Sequence, residues 1–329
     1  MTTMRDVALR ARVSTKTVSR VFNEDRHVTD ETRERVQRAM TDLQYVPNLL
    51  ARGLRVGKDA VLGVGVPDIS DPFFASLTSG IESVAAARGF AVVVTSLGLA
   101  PERERASVEA LLRRQILGLI VTPIGPDQSY LKPWPDTPVV FVDRTPTRFR
   151  GDSFVEDDRG GARVATEHLI RHGHRRIAFI GDTLDIATTK NRLEGYRDAM
   201  LANELDVDRD LVQLRWGQDV PPAELLAALS VGGHPTALFS SNARCSTQLL
   251  GVLTPAVRRK TAIVSFGDLA LAPVIEPALT VIDQDPYRLG TMAAERMVAK
   301  LADPTKKLRR KNLLPIRLIE RGSGELRPR

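Results

Sequence analysis

From residue 60 onward the chain alternates short, β-branched apolar runs with longer amphipathic segments, and this alternation restricts the fold more than any other feature. Residues 60–66, 90–97, 118–122, 139–143, 176–181, 236–240 and 262–266 read as buried parallel strands. Helices fall between them at 72–88, 101–115, 160–172, 191–203, 221–229 and 286–302, several opening on a proline, which suits the first helical position. Strand followed by helix, repeated, means βαβ units and parallel sheets. The elements are too many for one modest doubly wound sheet. The expected fold class is therefore α/β, with parallel sheets in two lobes and a cleft between them.

The N-terminal segment is built differently. Met4, Val7, Ala8 and Ala11 fall at the i, i+3, i+4, i+7 spacing of one buried helix face, which predicts a helix over 4–11. Ser14 is a good N-cap for a second helix over 15–22, with Val18, Val21 and Phe22 on one side. Thr29 suits the cap of a third, whose first turn holds Asp30 and Glu31 at the positive end of the dipole and whose Val36, Ala39, Met40 and Leu43 face inward. Burying Val18, Val21 and Phe22 leaves Thr15, Lys16, Ser19, Arg20 and Asn23 outside. A helix with such a face fits the roughly 12 Å major groove of double-stranded DNA, with Arg20 bidentate to guanine, Lys16 on guanine or phosphate, and Ser14, Thr17 and Asn23 on phosphate. The pattern alone is also that of many small helical bundles. Charge favours a polyanion: residues 1–58 hold 12 Lys and Arg against 7 Asp and Glu, a net +5 of the chain's +7.

The run from Met4 to Asn23 (MRDVALRARVSTKTVSRVFN), with HVTDETRERV at 27–36 and YVPN at 45–48, resembles the DNA-binding head of the LacI/GalR family of bacterial transcription repressors. The resemblance implies that Thr15 and Lys16 are the operator readers and that Arg20 contacts a base. It also brings Thr3, Ser14, Thr17, Ser19, Asn23 and His27 near the DNA backbone or groove edge. It makes 47–59 a hinge, helical over 48–56 on DNA and disordered off it. Ala51 and Leu54 would enter the minor groove there, and Leu54 of each subunit would wedge a base step open and kink the duplex.

In the body, PDISDPFF at 67–74, VDR at 142–144, HLIRHGHRRI at 168–177, RLEGY at 192–196 and LTVIDQ at 279–284 resemble the same family's regulatory core, which is similar to periplasmic sugar-binding proteins. The implied organisation is a helix-turn-helix head at 1–46, the hinge, an effector-binding core at 60–323 and a tail at 324–329. One lobe would hold about 60–160 and 286–323 and the other about 161–285, with crossings near 144–160, 240–242 and 284–288. The resemblance further implies a homodimer on a pseudopalindromic operator.

Ligands of open parallel sheets bind beyond the carboxyl ends of the strands. The residues there suit a small polar molecule such as a sugar or nucleobase; departures from the family pattern also admit a phosphosugar or another polar or anionic metabolite, or no ligand. By resemblance, Phe73 and Phe74 line one wall, Asp143 and Gln284 the floor, and Asn242 joins the lobes. Several positions depart from the family pattern. Lys190 stands where an Arg is common and lacks its planar fork. Ala243 replaces an Asp after Asn242, and Gly267 replaces the ligand-facing Asp. Asp219 falls where an aromatic is frequent, with Trp216 able to substitute only if the register slips.

Other chemistry finds little support. A single cysteine excludes an internal disulfide framework and suits the cytoplasm. No apolar leader or membrane-length apolar run occurs, so no membrane association is expected. His168, His172 and His174 lack a carboxylate motif and read as residues near a helix C-terminus, so no metal is expected. Gly63 and Gly65 lack the rest of a dinucleotide fingerprint, no P-loop or nucleophile-elbow motif is present, and Cys245 reads as a buried small residue. No cofactor is expected. The basic run at 306–311 reads as a solvated turn, and no apolar heptad follows Arg321 to build a coiled-coil tetramer. The leading expectation is a non-enzymatic, ligand-modulated transcription repressor. The alternative is a sugar- or nucleotide-processing α/β enzyme with a DNA-binding appendage, which needs a nucleophile or acid–base pair that the sequence does not display.

Overall fold

In a computed structural model that describes residues 4–22, 25, 28–43, 61–216, 220–230, 235–303 and 310–328, the chain divides into two units, Met1–Gly57 and Lys58–Arg329. The first unit contains α1 (Met4–Ala11), α2 (Thr15–Phe22) and α3 (Asp30–Asp42). Their apolar stripes meet in a small core of Val7, Ala8, Ala11, Val18, Val21, Val36 and Ala39. Arg12 takes a left-handed conformation (φ 55°), and the Val13 amide donates back to Ala8 O at 3.0 Å, which ends α1 and turns the chain into α2. Thr29 is extended at the start of α3, but its hydroxyl donates to Thr32 Oγ1 and makes no cap bond to the backbone. The side chain of Phe22 and the whole expected hinge, 47–59, lie outside the described residues.

The second unit is built on two sheets. The first contains β1 (Val61–Val66), β2 (Ala91–Ser96), β3 (Gly118–Val121), β4 (Val139–Val142), β5 (Asp152–Glu156) and β11 (Lys311–Leu314), in the order β11-β5-β4-β3-β1-β2. The second contains β6 (Ile177–Ile180), β7 (Val212–Gln213), β8 (Ala237–Ser240), β9 (Ala262–Phe266), β10 (Thr280–Asp283) and β12 (Arg317–Ile319), in the order β12-β10-β9-β8-β6-β7. Among the described residues all pairings are parallel except β10 with β12. Around the first sheet lie α4 (Pro72–Ala87), α5 (Pro101–Arg113) and α11 (Pro286–Ala302); around the second lie α6 (Asp158–Arg171), α7 (Ala187–Ala202), α8 (Pro222–Ser230), α9 (Ala243–Val252) and the short α10 (Pro255–Arg258). In the second lobe Ile177, Phe179 and Phe239 pack in one cluster with Tyr196. Ala178, Ile180 and Leu238 pack in another with Trp216. Both faces are covered, which is why these strands read as unbroken apolar runs rather than alternating ones.

The chain passes between lobes three times: from β5 into α6 at 156–158, from β10 into α11 at 283–286, and from β11 into β12 at 314–317. The first two lie within or beside the stretches, 144–160 and 284–288, where the resemblance implies crossings. The crossing expected at 240–242 is absent, because β8 continues directly into α9 of the same lobe. The third lies instead at 314–317, so 317–323 belongs to the second lobe rather than the first. Residues 324–326 are no free tail. Glu325 accepts from Thr280 Oγ1 at 2.9 Å and bonds His168 Nε2 at 2.7 Å, and Leu326 O bonds His174 Nε2 at 2.7 Å.

Candidate functional site

In the head, Ser14 begins α2 by accepting the Thr17 amide on its hydroxyl at 3.0 Å, and the Ser14 and Thr17 hydroxyls are 2.9 Å apart. Val18 and Val21 are buried beneath the helix, whereas Thr15, Lys16 and Arg20 are exposed and Thr17 and Ser19 half-buried. The outward face of α2 therefore carries hydroxyls and two cations with no acid among them. Arg20 Nε lies 3.5 Å from Asp25 Oδ2, with its side chain 54% exposed. A pair that open to water contributes little to stability. It restrains the guanidinium without removing it from solvent. Thr3, Asn23, His27, Ala51 and Leu54 lie outside the described residues.

In the second unit a cavity opens between the carboxyl ends of the two sheets, with about 570 Å³ of atom-free space that is continuous with solvent. Phe73, Phe74, Asp143, Asn242 and Gln284 all line it. Phe73 and Phe74 follow the Asp71 cap of α4, whose carboxylate accepts the Phe73 amide at 2.9 Å, and their rings meet edge to face at 5.0 Å. Asp143 follows β4 directly in a left-handed conformation (φ 66°), with Arg144 Nε 3.1 Å from its carboxylate. Asn242 caps α9, accepting the Cys245 amide at 2.7 Å.

Lys190 is the exception. It is exposed and absent from the lining. The sequence pattern starts this helix at 191 and leaves Lys190 in a loop, but α7 begins at Ala187. Two helical residues are about 200° apart around the axis, so Lys190 and Arg192 point to opposite sides. Arg192, buried, lines the cavity instead. It donates to Asp158 Oδ1 at 2.8 Å and to Ser241 O at 2.6 Å, and its guanidinium stands 3.8 Å from the centroid of Phe266.

Arg144 and Arg192 were both visible in the VDR and RLEGY runs as matched residues without an assigned role. Arg244 had no pattern to announce it. It lies at the start of α9, with Nη2 3.7 Å from Asp68 and Nε 3.8 Å from Asp71, and so ties one lobe to the other at the cavity. Gly267 has a left-handed backbone (φ 92°), and a Cβ there would stand 3.1 Å from Gln284 Oε1. The loss of an acid at 267 thus leaves the Gln284 amide as the polar group at that spot.

Burial dominates the electrostatics. It pushes the Asp158 pKa up to about 6 against the pull of Arg192, and it raises that of Asp71 against the Phe73 amide and Arg244. It also pushes up the Cys245 thiol, fully enclosed in the second lobe, which gives no reactive thiolate. At the C-terminal end of α6 the His168 and His172 rings lie tilted with centroids 4.5 Å apart, His172 Nδ1 bonds His168 O, and His174 Nδ1 bonds Thr236 Oγ1. Among the described residues no group of three or more His, Cys, Asp or Glu could hold a metal ion, and no helix is long and apolar enough to cross a membrane. Trp216 is buried in the second-lobe core and is not part of the cavity lining; Asp219 lies outside the described residues.

A helix-turn-helix head with a cationic outer face, joined in one chain to a two-lobed core that holds a polar cavity, defines a DNA-binding regulator with a small-molecule-binding core. The family model described as bacterial regulatory proteins, lacI family, matches residues 3–48, and the periplasmic binding protein-like domain matches residues 166–324. The chain is 32% identical to the ribose operon repressor of Escherichia coli (strain K12), over 98% of this chain and 100% of the relative. It is similar to the lac repressor dimer bound to operator and the anti-inducer ONPF, with 26% identity, 99% of each chain covered and a TM-score of 0.71. It is also similar to the transcriptional regulator CelR–cellobiose complex, with 27% identity, 98% and 100% coverage and a TM-score of 0.69. The chain belongs to the LacI family of DNA-binding transcriptional regulators. These relatives are regulators and not enzymes, and the enzymatic alternative is set aside.

Proposed function

We propose that this LacI-family repressor binds a pseudopalindromic operator as a homodimer, with α2 in the major groove and Lys16 and Arg20 as base readers. The observation that carries the reading is the outer face of α2, where the only charged side chains, Lys16 and Arg20, stand exposed over buried Val18 and Val21. Thr15 and Ser19 share that face, and Ser14 and Thr17 sit at the helix N-terminus where backbone amides attract phosphate. Thr3, Asn23 and His27 extend the contact, and Ala51 and Leu54 of the hinge take the minor groove.

The interlobe cavity takes the effector. Phe73 and Phe74 offer ring faces, and Asp143, Asn242 and Gln284 offer hydrogen-bonding groups. The three guanidinium groups in the lining already face carboxylates: Arg144 with Asp143, Arg192 with Asp158, and Arg244 with Asp68 and Asp71. Each cation among the described lining residues has an acid within 4 Å, which favours an uncharged polyhydroxylated ligand over a phosphosugar. A ribose operon repressor and a cellobiose complex among the similar proteins support a sugar. Effector and operator are coupled because closure on a ligand shifts one lobe against the other, typically by a coupling free energy of about 1–3 kcal/mol.

The test is competition binding of the purified chain to genomic fragments, followed by thermal shifts with ribose, cellobiose and ribose 5-phosphate. Preference for discrete fragments, affinity that falls steeply with salt, and stabilisation by an uncharged sugar alone are expected. Equal affinity for all fragments with a flat salt dependence contradicts the DNA reading. Stabilisation by the phosphosugar alone contradicts the ligand reading.

A further inference from the structure

Glu156 is a buried carboxyl group that neither the DNA-reading face nor the cavity employs. It is the last residue of β5 and only 4% exposed. Neither of its carboxyl oxygens has a hydrogen-bond partner on another residue. Its place in the topology is specific: Glu156 pairs in register with Leu314, the last residue of β11. These two residues are where two of the three interlobe crossings leave the first sheet.

The charged groups that face it come from three elements: Asp143 at the end of β4, Asp158 on the first turn of α6, and Arg192 on α7. β11 sets the apolar Leu314 opposite. Arg192 is committed to Asp158 and to Ser241 O. Arg144 donates to Pro123 O and lies 3.1 Å from Asp143 without a hydrogen bond to it. Neither guanidinium is bonded to Glu156, which is the carboxyl group left without a partner. An ionised carboxylate buried without partner or water costs so much that such a group takes up a proton instead.

We propose that Glu156 is a proton-operated switch of the interlobe hinge, neutral while the two lobes enclose it and ionised when the crossings part and admit water. Burial, then repulsion from Asp143 and Asp158, hold its pKa well above the ordinary carboxylate range against the weaker pull of Arg192. The sign follows from linkage. The closed arrangement binds a proton that the open one releases, so closure is fully favoured below the ordinary Glu pKa and is lost as pH rises through the raised one. The repressor would then read cytoplasmic alkalinisation as a bias toward lobe opening, whatever effector it binds. The motion rests on the cavity being the effector site, whereas the bound proton does not.

The decisive variant is Glu156→Gln, which keeps shape and removes the titration. Infrared difference spectra of wild type minus E156Q should show a protonated-carboxyl band at neutral pH, and in wild type alone that band should disappear as pH is raised. Hydrogen exchange of peptides spanning 156–158 and 314–317 gives the hinge readout. The ratio of wild-type to E156Q protection at one pH cancels the intrinsic chemistry of exchange. That ratio should fall by up to about tenfold per pH unit through the titration. Absence of the band overturns the proposal outright. A band with a protection ratio that stays flat overturns the switch while leaving a protonated Glu156 in place, and neither result bears on whether a sugar binds.

Discussion

Replacement of Arg192 by Met keeps most of the side-chain volume and removes only the guanidinium, so it isolates what that group does where α6, α7 and the cavity meet. The group is 5% exposed and its partner Asp158 7%, with Nη2 2.7 Å from Asp158 Oδ1 and Nη1 2.6 Å from Ser241 O. Removing one member of a buried pair typically costs about 3–5 kcal/mol, because the other charge is left uncompensated. The abandoned Ser241 carbonyl adds about 1–3 kcal/mol. Against this, Asp158 already sits at about 6 through burial, and without Arg192 it rises further, so partial uptake of a proton near pH 7 relieves part of the penalty. The expected net loss is about 4 kcal/mol in the core, or roughly 8–16 °C in Tm at the 2–4 °C per kcal/mol of domains this size.

The loss should grow as pH rises. A carboxyl with a raised folded-state pKa stabilises below its unfolded value and ceases to do so as pH passes through the raised one. Urea unfolding followed by tryptophan fluorescence separates the lobes, since Trp134 packs in the first and Trp216 in the second. The double variant D158N/R192M should recover about 2 kcal/mol, because it removes the abandoned charge as well. A loss below about 1 kcal/mol in R192M, or a double variant no better than the single one, refutes the reasoning.

Arg20→Ala should cost about 1–3 kcal/mol of operator affinity and relax preference at one base, while Lys16→Ala should change which base is preferred; competition with randomised operators measures both. Gly195→Val should lower Tm by several degrees, because a Cβ at Gly195 overlaps the Arg159 carbonyl across the α6–α7 contact. Overpacking of that kind typically costs about 1–3 kcal/mol, and calorimetry reads it. Arg244→Ala should alter global stability by less than about 1 kcal/mol, since the ion pair is long and a third exposed. It should nonetheless change sugar affinity measured by calorimetry, because it removes a tie between the lobes at the cavity.

Legibility in the sequence followed unbroken apolar runs. β1, β3, β4, β6, β8 and β9 are buried along nearly their whole length, and such runs announce them; β2, half-exposed at the sheet edge, is announced by its valines. β5 carries Asp152 and Glu156 at its ends and β11 begins at Lys311. β11 is the sheet edge, whereas β5 lies inside it and is buried throughout; its polar residues break the apolar run without exposing the strand, so no run marks either. α9 was invisible for a different reason: its cap, Asn242, follows β8 after a single residue, so no loop separates strand from helix. In the cavity, residues at strand ends could be found because ligand sites follow from topology. Lys190 could not be placed, because its side depends on where α7 starts, and helix ends are the least legible feature of a sequence. Glu156 had no signal at all. An acid at the end of a polar strand reads as exposed until the neighbouring strand covers it.

The late crossing at 314–317 has a consequence for synthesis on the ribosome. β11 supplies the edge beside β5 in one lobe, and three residues later β12 supplies the edge beside β10 in the other. Neither lobe closes until residues 311–319 have emerged, although most of both has by then been exposed for several seconds or more at the usual rate of about 5–20 residues per second. A nascent or prematurely terminated chain ending before residue 311 presents two unpaired sheet edges at once, β5 and β10, both templates for pairing with another copy. Residues 311–319 thus complete both lobes together, so a chain lacking them finishes neither sheet and offers two open edges to another copy.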